Sequence, residues 1–253
     1  MLTNITYCPG RAHRRLDRVL YPSIFTNTLT LLEKFSPPDI CSLSSLVLDR
    51  FCSQVLPAIE HNIQWMNLEG SSLERVLSSG NFLHLSGLGV YGITKTYALH
   101  LLSDETLLCH QLRKQISSLA VQTTGDVGYR FDLNELIFKN LIHMFSNLKS
   151  LDLNPFKVYH QITTMSKTHL SVYSSTLRES SIQLRWIDDC LYILDGRFDQ
   201  LCVFNVKVMY SSRSRSLLDF GQVNPSNLRS LSFTNLFEID CYDEFLVPLL
   251  HRM

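Results

Sequence analysis

The chain has 253 residues, 45% hydrophobic and 18% charged, which is ample material for a core and excludes a disordered segment. Lys and Arg together number 23, as do Asp and Glu, so no net field of either sign recruits nucleic acid or an anionic membrane. The seven cysteines stand singly with no C-x-x-C pair, which points to reduced thiols in a cytoplasmic or nuclear protein and away from disulfides or zinc.

The opening MLTNITYCPGRAHRR lacks the apolar region of a signal peptide, and no later stretch approaches the ~18 uninterrupted apolar residues of a membrane span. Asn4-Ile5-Thr6 has the form of a glycosylation acceptor but no export route to serve it. Arg11, His13, Arg14, Arg15 and Arg18 make a basic start that reads as solvated surface. From Pro22 to Leu56 the pattern predicts helical segments broken at Pro37-Pro38, so residues 1–56 are expected to form an N-terminal helical region and residues 57–253 a repeat array.

The array rests on one phrase, an apolar residue followed three and five positions later by two more. It occurs at Ile63, Met66, Leu68; Leu85, Leu88, Val90; Ile116, Leu119, Val121; Leu148, Leu151, Leu153; Leu201, Phe204, Val206; and Leu228, Leu231, Phe233, with a weaker copy at Leu177, Ser180, Ile182. Successive phrases start between 22 and 32 residues apart, overlapping the roughly 20–29 of leucine-rich repeats. Helical spacing fills the intervals, as in Leu73, Val76, Leu77 and in Leu133, Leu136, Ile137, Leu141, Met144, Phe145. Ser71-Ser72 with Glu74, and Ser103-Asp104-Glu105, supply helix starts.

Strand then helix, repeated, requires crossovers and hence parallel neighbours. The expected fold is α/β, an open curved solenoid of leucine-rich-repeat-like strand-helix units with a parallel sheet on the concave face and helices on the convex face. Three anchors cannot offset the ordering entropy of one repeat, so stability must come from stacking.

Other motifs read as parts of this scaffold. Gly87-Leu88-Gly89-Val90-Tyr91-Gly92 fits the G-x-G-x-x-G form of a dinucleotide loop, but Leu88 and Val90 are already anchors, which favours strand and turn over a nucleotide-binding enzyme. Asp188-Asp189-Cys190 and Asp195-Gly196-Arg197-Phe198-Asp199 read as a helix start and a helix-ending turn, their spacing being wrong for a calcium loop. His100, Cys109 and His110 match no ligand or nucleophile-base spacing, and Ser211-Ser212-Arg213-Ser214-Arg215-Ser216 reads as a basic surface loop. No catalytic, metal or cofactor residue is assigned. Strand alternation instead places Trp65, Asn67, Glu69, Tyr91, Gln122, Asp152, Asn154, Asn205, Lys207 and Thr234 on the concave face as a partner-binding surface, with Trp65 and Tyr91 as an exposed aromatic pair.

Residues 20–29 (LYPSIFTNTL), Val47-Leu48-Asp49-Arg50-Phe51-Cys52, Leu194-Asp195-Gly196-Arg197-Phe198, residues 247–253 (VPLLHRM) and the Asn-Leu-x-x-Leu phrases resemble a large group of invertebrate F-box proteins that carry a degenerate leucine-rich-repeat-like array. The likeness covers about residues 13–253. It implies the substrate-recognition part of a cullin-RING ubiquitin ligase receptor, holding a protein substrate on the repeat face. Only residues 13–20 are similar to the last turns of an F-box, so docking on a Skp-type adaptor is expected only with a complete F-box upstream. Residues 243–253 read as a helix that stops where another strand should follow, and the chain is expected to be a truncated form of a longer protein.

Overall fold

Six triplets that each place three apolar residues at one spacing, and a seventh with Ser180 at its second place, demand a common structural solution, and strand pairing supplies it. A computed structural model of the chain describes residues 4–6, 27–36, 39–94, 97, 112–124, 131–153, 172–210, 225, 227–235 and 242–253. They fall into two units, Met1–Gly125 and Asp126–Met253.

In the N-terminal unit the strands are β1 (Asn4–Thr6), β2 (Thr28–Ser36), β3 (Asp39–Ser42), β4 (Trp65–Glu69), β5 (Gly87–Thr94) and β6 (Ser118–Thr124). The order is β1-β2-β4-β5-β6, parallel throughout, with β3 folding back antiparallel on β2. Helices α1 (Ser45–Arg50) and α2 (Leu56–Ile59) precede β4, and α3 (Leu73–Ser78) lies between β4 and β5. The C-terminal unit pairs β7 (Ser150–Asp152), β8 (Glu179–Trp186), β9 (Val203–Tyr210) and β10 (Ser230–Asn235) in sequence order, again parallel. Its helices are α4 (Phe131–Met144), α5 (Asp188–Ile193) and α6 (Tyr242–Leu250).

The register joins the triplets rung to rung. Met66 lies beside Leu88 and Leu88 beside Leu119, while Leu151, Ser180, Phe204 and Leu231 form the corresponding row of the C-terminal unit. Ile63, Met66, Leu68, Leu85 and Leu88 are completely buried, and Phe204 with them. Each such side chain contributes about 1.5–3 kcal/mol. Ser180 fills its anchor position as a buried hydroxyl.

A junction sets that register. The carbonyl of the residue after the first anchor accepts two successive N–H groups from the next strand start in five of the repeats, and that of Asn27, just before β2, does the same, using both of its lone pairs. Asn27 receives Gln64 and Trp65, Gln64 receives Ser86 and Gly87, and Ser86 receives Ser117 and Ser118, all at 2.8–3.0 Å. In the C-terminal unit Lys149 receives Arg178 and Glu179, Arg178 receives Cys202 and Val203, and Cys202 receives Arg229 and Ser230 over the same distances. Just upstream, the N–H of Ile63, Leu85, Leu148, Leu201 and Leu228 donates to the carbonyl three residues back, which turns the chain into the strand.

Two expectations are corrected. The helical reading of Pro22 to Leu56 fails over residues 28–36 and 39–42, which form β2 and β3. Leu29 and Leu31 alternate with threonines and pair with Met66 and Leu68, so the strand pattern inside a leucine-rich stretch won over helical spacing. Helix begins only at Ser45. At α3 no side chain of Ser72 caps the helix; the Glu69 carboxylate accepts from the Ser71 N–H at 3.0 Å and from the Ser71 hydroxyl, capping the preceding turn. The helix start expected at residues 103–105 lies outside the described residues.

The glycine run is the interior of β5. Gly87 lies under the Trp65 ring, and Gly89 under Tyr91 and the Asn67 amide, close enough that a methyl at either position would overlap them. Gly87→Ala is therefore expected to push the indole off the sheet and to cost about 1–3 kcal/mol, checked by chemical denaturation.

Candidate functional site

One sheet face carries the anchors and the other carries the polar residues between them. In the N-terminal unit that polar face is closed by its own side chains. Asn67 is buried between the two aromatics; its Oδ1 accepts from Trp65 Nε1 at 2.7 Å and from the Tyr91 hydroxyl at 3.3 Å, while its Nδ2 donates to Thr30 Oγ1 at 3.1 Å. Tyr91 is only 4% exposed and Gln122 3%, which corrects the expectation that Tyr91 is exposed, while Trp65 is half-buried; both rings lie down over glycines and bond to one amide. Glu69 serves as the cap described above.

The C-terminal unit presents an open polar face. Asp152, Ser181, Asn205 and Ser232 stand side by side across β7, β8, β9 and β10, with neighbouring strands ~4.8 Å apart. Gln183, Lys207 and Thr234 form the next row. Asn205, Ser232 and Thr234 are exposed, and Asp152, Ser181 and Lys207 half-buried. Of the residues assigned from sequence, Asp152, Asn205, Lys207 and Thr234 are thus brought together here; Asn154 lies outside the described residues. Gln183, which alternation also places here but sequence reading missed, is completely buried and neither of its amide atoms has a hydrogen-bond partner. Such a group costs about 1–3 kcal/mol.

At the carboxyl ends of β8 and β9 an aromatic cluster ends the anchor rows, on the side of the sheet away from the polar face. The Trp186 and Tyr210 rings are 5.2 Å apart and tilted by 39°, and the Arg185 guanidinium lies 5.3 Å from the Trp186 ring centre. Tyr210 is 37% exposed. The Trp186 N–H donates at 3.0 Å to Asp189 Oδ2, a fully buried carboxylate in the first turn of α5, which holds the strand end in place. Sequence alternation could not find this pair, since it depends on the register that sets Trp186 beside Tyr210.

The remaining motifs take structural roles. Asp188 and Asp189 open α5, and Gly196, at φ 96°, ends the turn after it, as expected. Asp195 pairs with Arg197 at 2.9 Å; burial raises its carboxyl pKa above the usual carboxylate range, against the pull of Arg197. His100, Cys109, His110, the basic start and the serine-arginine loop lie outside the described residues. Among the described residues no three His, Cys, Asp or Glu side chains are grouped to hold a metal ion, and no helix is long and apolar enough to cross a membrane.

A polar column escaped the sequence reading. The residue before each first anchor, namely Asn62, His84, Gln115, Asn147, Thr176, Gln200 and Asn227, can form hydrogen bonds in every copy. Gln115 donates to the Phe82 carbonyl, Thr176 to that of Leu148 at 2.9 Å and Asn227 to that of Asp199 at 2.6 Å, each reaching back to the preceding turn. Aligning the triplets one residue further upstream would have exposed it.

Two outcomes follow. Asn67→Ala strands the Trp65 N–H, the Tyr91 hydroxyl and Thr30 together, and is expected to cost about 2–4 kcal/mol in denaturant titrations. Burial raises the thiol pKa of Cys52 and, to a greater extent, of Cys190. In native alkylation read peptide by peptide, Cys202, half-exposed, is expected to react while Cys52 and Cys190 stay protected until the chain unfolds. Compared with protein-family models, with curated proteins and with solved structures, the chain matches none.

Proposed function

We propose that the chain is a non-enzymatic protein-binding module built of leucine-rich-repeat-like turns of an open solenoid, and that an extended polypeptide docks on the polar face of β7–β10. The observation that carries this reading is the contrast between the two polar faces. In the N-terminal unit that face is filled by Trp65, Asn67 and Tyr91, whereas Asn205, Ser232 and Thr234 leave it open in the C-terminal unit. Small uncharged donors and acceptors flanked by Lys207 and Asp152 suit main-chain amides. The buried, unpartnered amide of Gln183 lies in the same rows.

Within this reading, the likeness to F-box proteins makes the docked polypeptide a substrate of a cullin-RING ubiquitin ligase. Attachment to a Skp-type adaptor then belongs to a complete F-box upstream. The glycine run of β5, with Gly87 and Gly89 beneath aromatic rings, leaves no loop there to cradle a phosphate.

The test is selection of peptides from a random library against the whole chain. Selected peptides are expected to lose at least roughly tenfold in affinity on Asn205→Arg/Thr234→Arg, with melting temperatures unchanged. Gln183→Met removes the stranded amide, so it is expected to raise stability by about 1 kcal/mol and, the side chain being buried, to leave the affinity of the same peptides unchanged. Peptides that bind all variants equally would refute the assignment.

A further inference from the structure

Strand β10 ends the order of the C-terminal sheet, and among the described residues its one neighbour is β9. Alternate N–H and C=O groups along its other side point away from β9. Its anchors register the same incompleteness. Leu231 and Phe233 are half-buried, whereas their row-mates Phe204 and Val206 are 0% and 3% exposed. Helix α6 packs beside β10 through Phe245, whose ring centre lies 6.0 Å from that of Phe233, and leaves Leu250 52% and Met253 41% exposed. The strand itself carries neither charge nor proline: it reads Ser230-Leu231-Ser232-Phe233-Thr234-Asn235.

The pattern of β10 also reads the same in both directions about Ser232. Antiparallel pairing of two copies on that centre sets Leu231 opposite Phe233 of the second copy and Ser230 opposite its Thr234. The apolar face then meets apolar residues and the polar face meets hydroxyls. Aliphatic–aromatic and Ser–Thr pairs are both favourable across strands, and a two-fold axis perpendicular to the sheet keeps the two faces on their own sides. A centre shifted by half a residue would oppose Leu231 to Ser232 and mix the faces.

We propose that β10 is a self-association edge, and that two copies of the chain pair antiparallel through it about Ser232. The second copy completes the half-covered row of Leu231 and Phe233, and a closed pair consumes both edges so that growth stops at two. This proposal uses the backbone edge of β10, whereas the polypeptide-binding reading uses the polar face on which Ser232 also lies.

The experiment is sedimentation velocity of the full chain over a concentration series, with Ser232→Lys and Ser232→Glu. Ser232 is exposed on the polar face, so both variants are expected to keep the wild-type circular dichroism and melting temperature in the monomer. The wild type is expected to show a monomer–dimer equilibrium. Each variant alone is expected to dimerise roughly fivefold more weakly or worse, because like charges meet on the axis. A mixture of the two is expected to recover the wild-type dimer, because Lys then meets Glu. A wild type that is monomeric throughout, assemblies larger than two, variants that dimerise like wild type, or a mixture that fails to recover would each overturn the proposal.

Discussion

Everything else in this chain depends on a single hydrogen-bonding device, the carbonyl that takes two consecutive N–H groups from the strand start beside it. Asn27, Gln64, Ser86, Lys149, Arg178 and Cys202 all act in this way. Because strand side chains alternate, an error of one residue at any of these points would turn the anchors outward and the polar residues inward. The junction therefore decides which face is core and which face is available, before any side chain has packed.

The two units use the available face differently, and the difference comes from a few small residues. Gly87 and Gly89 leave room for the aromatic rings beside Asn67, and those rings in turn cover much of that face. In the C-terminal unit the equivalent places hold Ser181, Asn205 and Ser232, with side chains too short to cover anything, and the face stays open. Function in this reading is a matter of where the scaffold omits bulk.

The triplets were legible in the sequence because burial repeats with a two-residue alternation that survives changes of residue type: Met66, Leu88 and Leu119 are interchangeable as oil. The β2–β3 hairpin was not, since TLTLLEKF satisfies helical and strand spacing alike and only pairing with β4 decides between them. Alternation placed Tyr91 on the correct face but could not foresee that a glycine two residues earlier would let it lie down. The polar column was hidden by its diversity; Asn62, His84, Gln115 and Thr176 share a capacity to bond and no single letter. The cluster of Trp186 and Tyr210 could not be read at all, being created by a cross-strand neighbour 24 positions away.

One consequence of the junction concerns how such a chain can change. The intervals between the starts of successive parallel strands already range from 22 residues (Trp65 to Gly87) to 37 (Thr28 to Trp65), and nothing in the double acceptor depends on what fills them. Whole helices can be lengthened, shortened or replaced there at the modest entropic cost of a longer loop. A single residue gained or lost inside the few positions around a strand start, by contrast, inverts the sheet from that point on. The chain is thus tolerant of large insertions and intolerant of small ones, and its history should be written in the lengths of its connections.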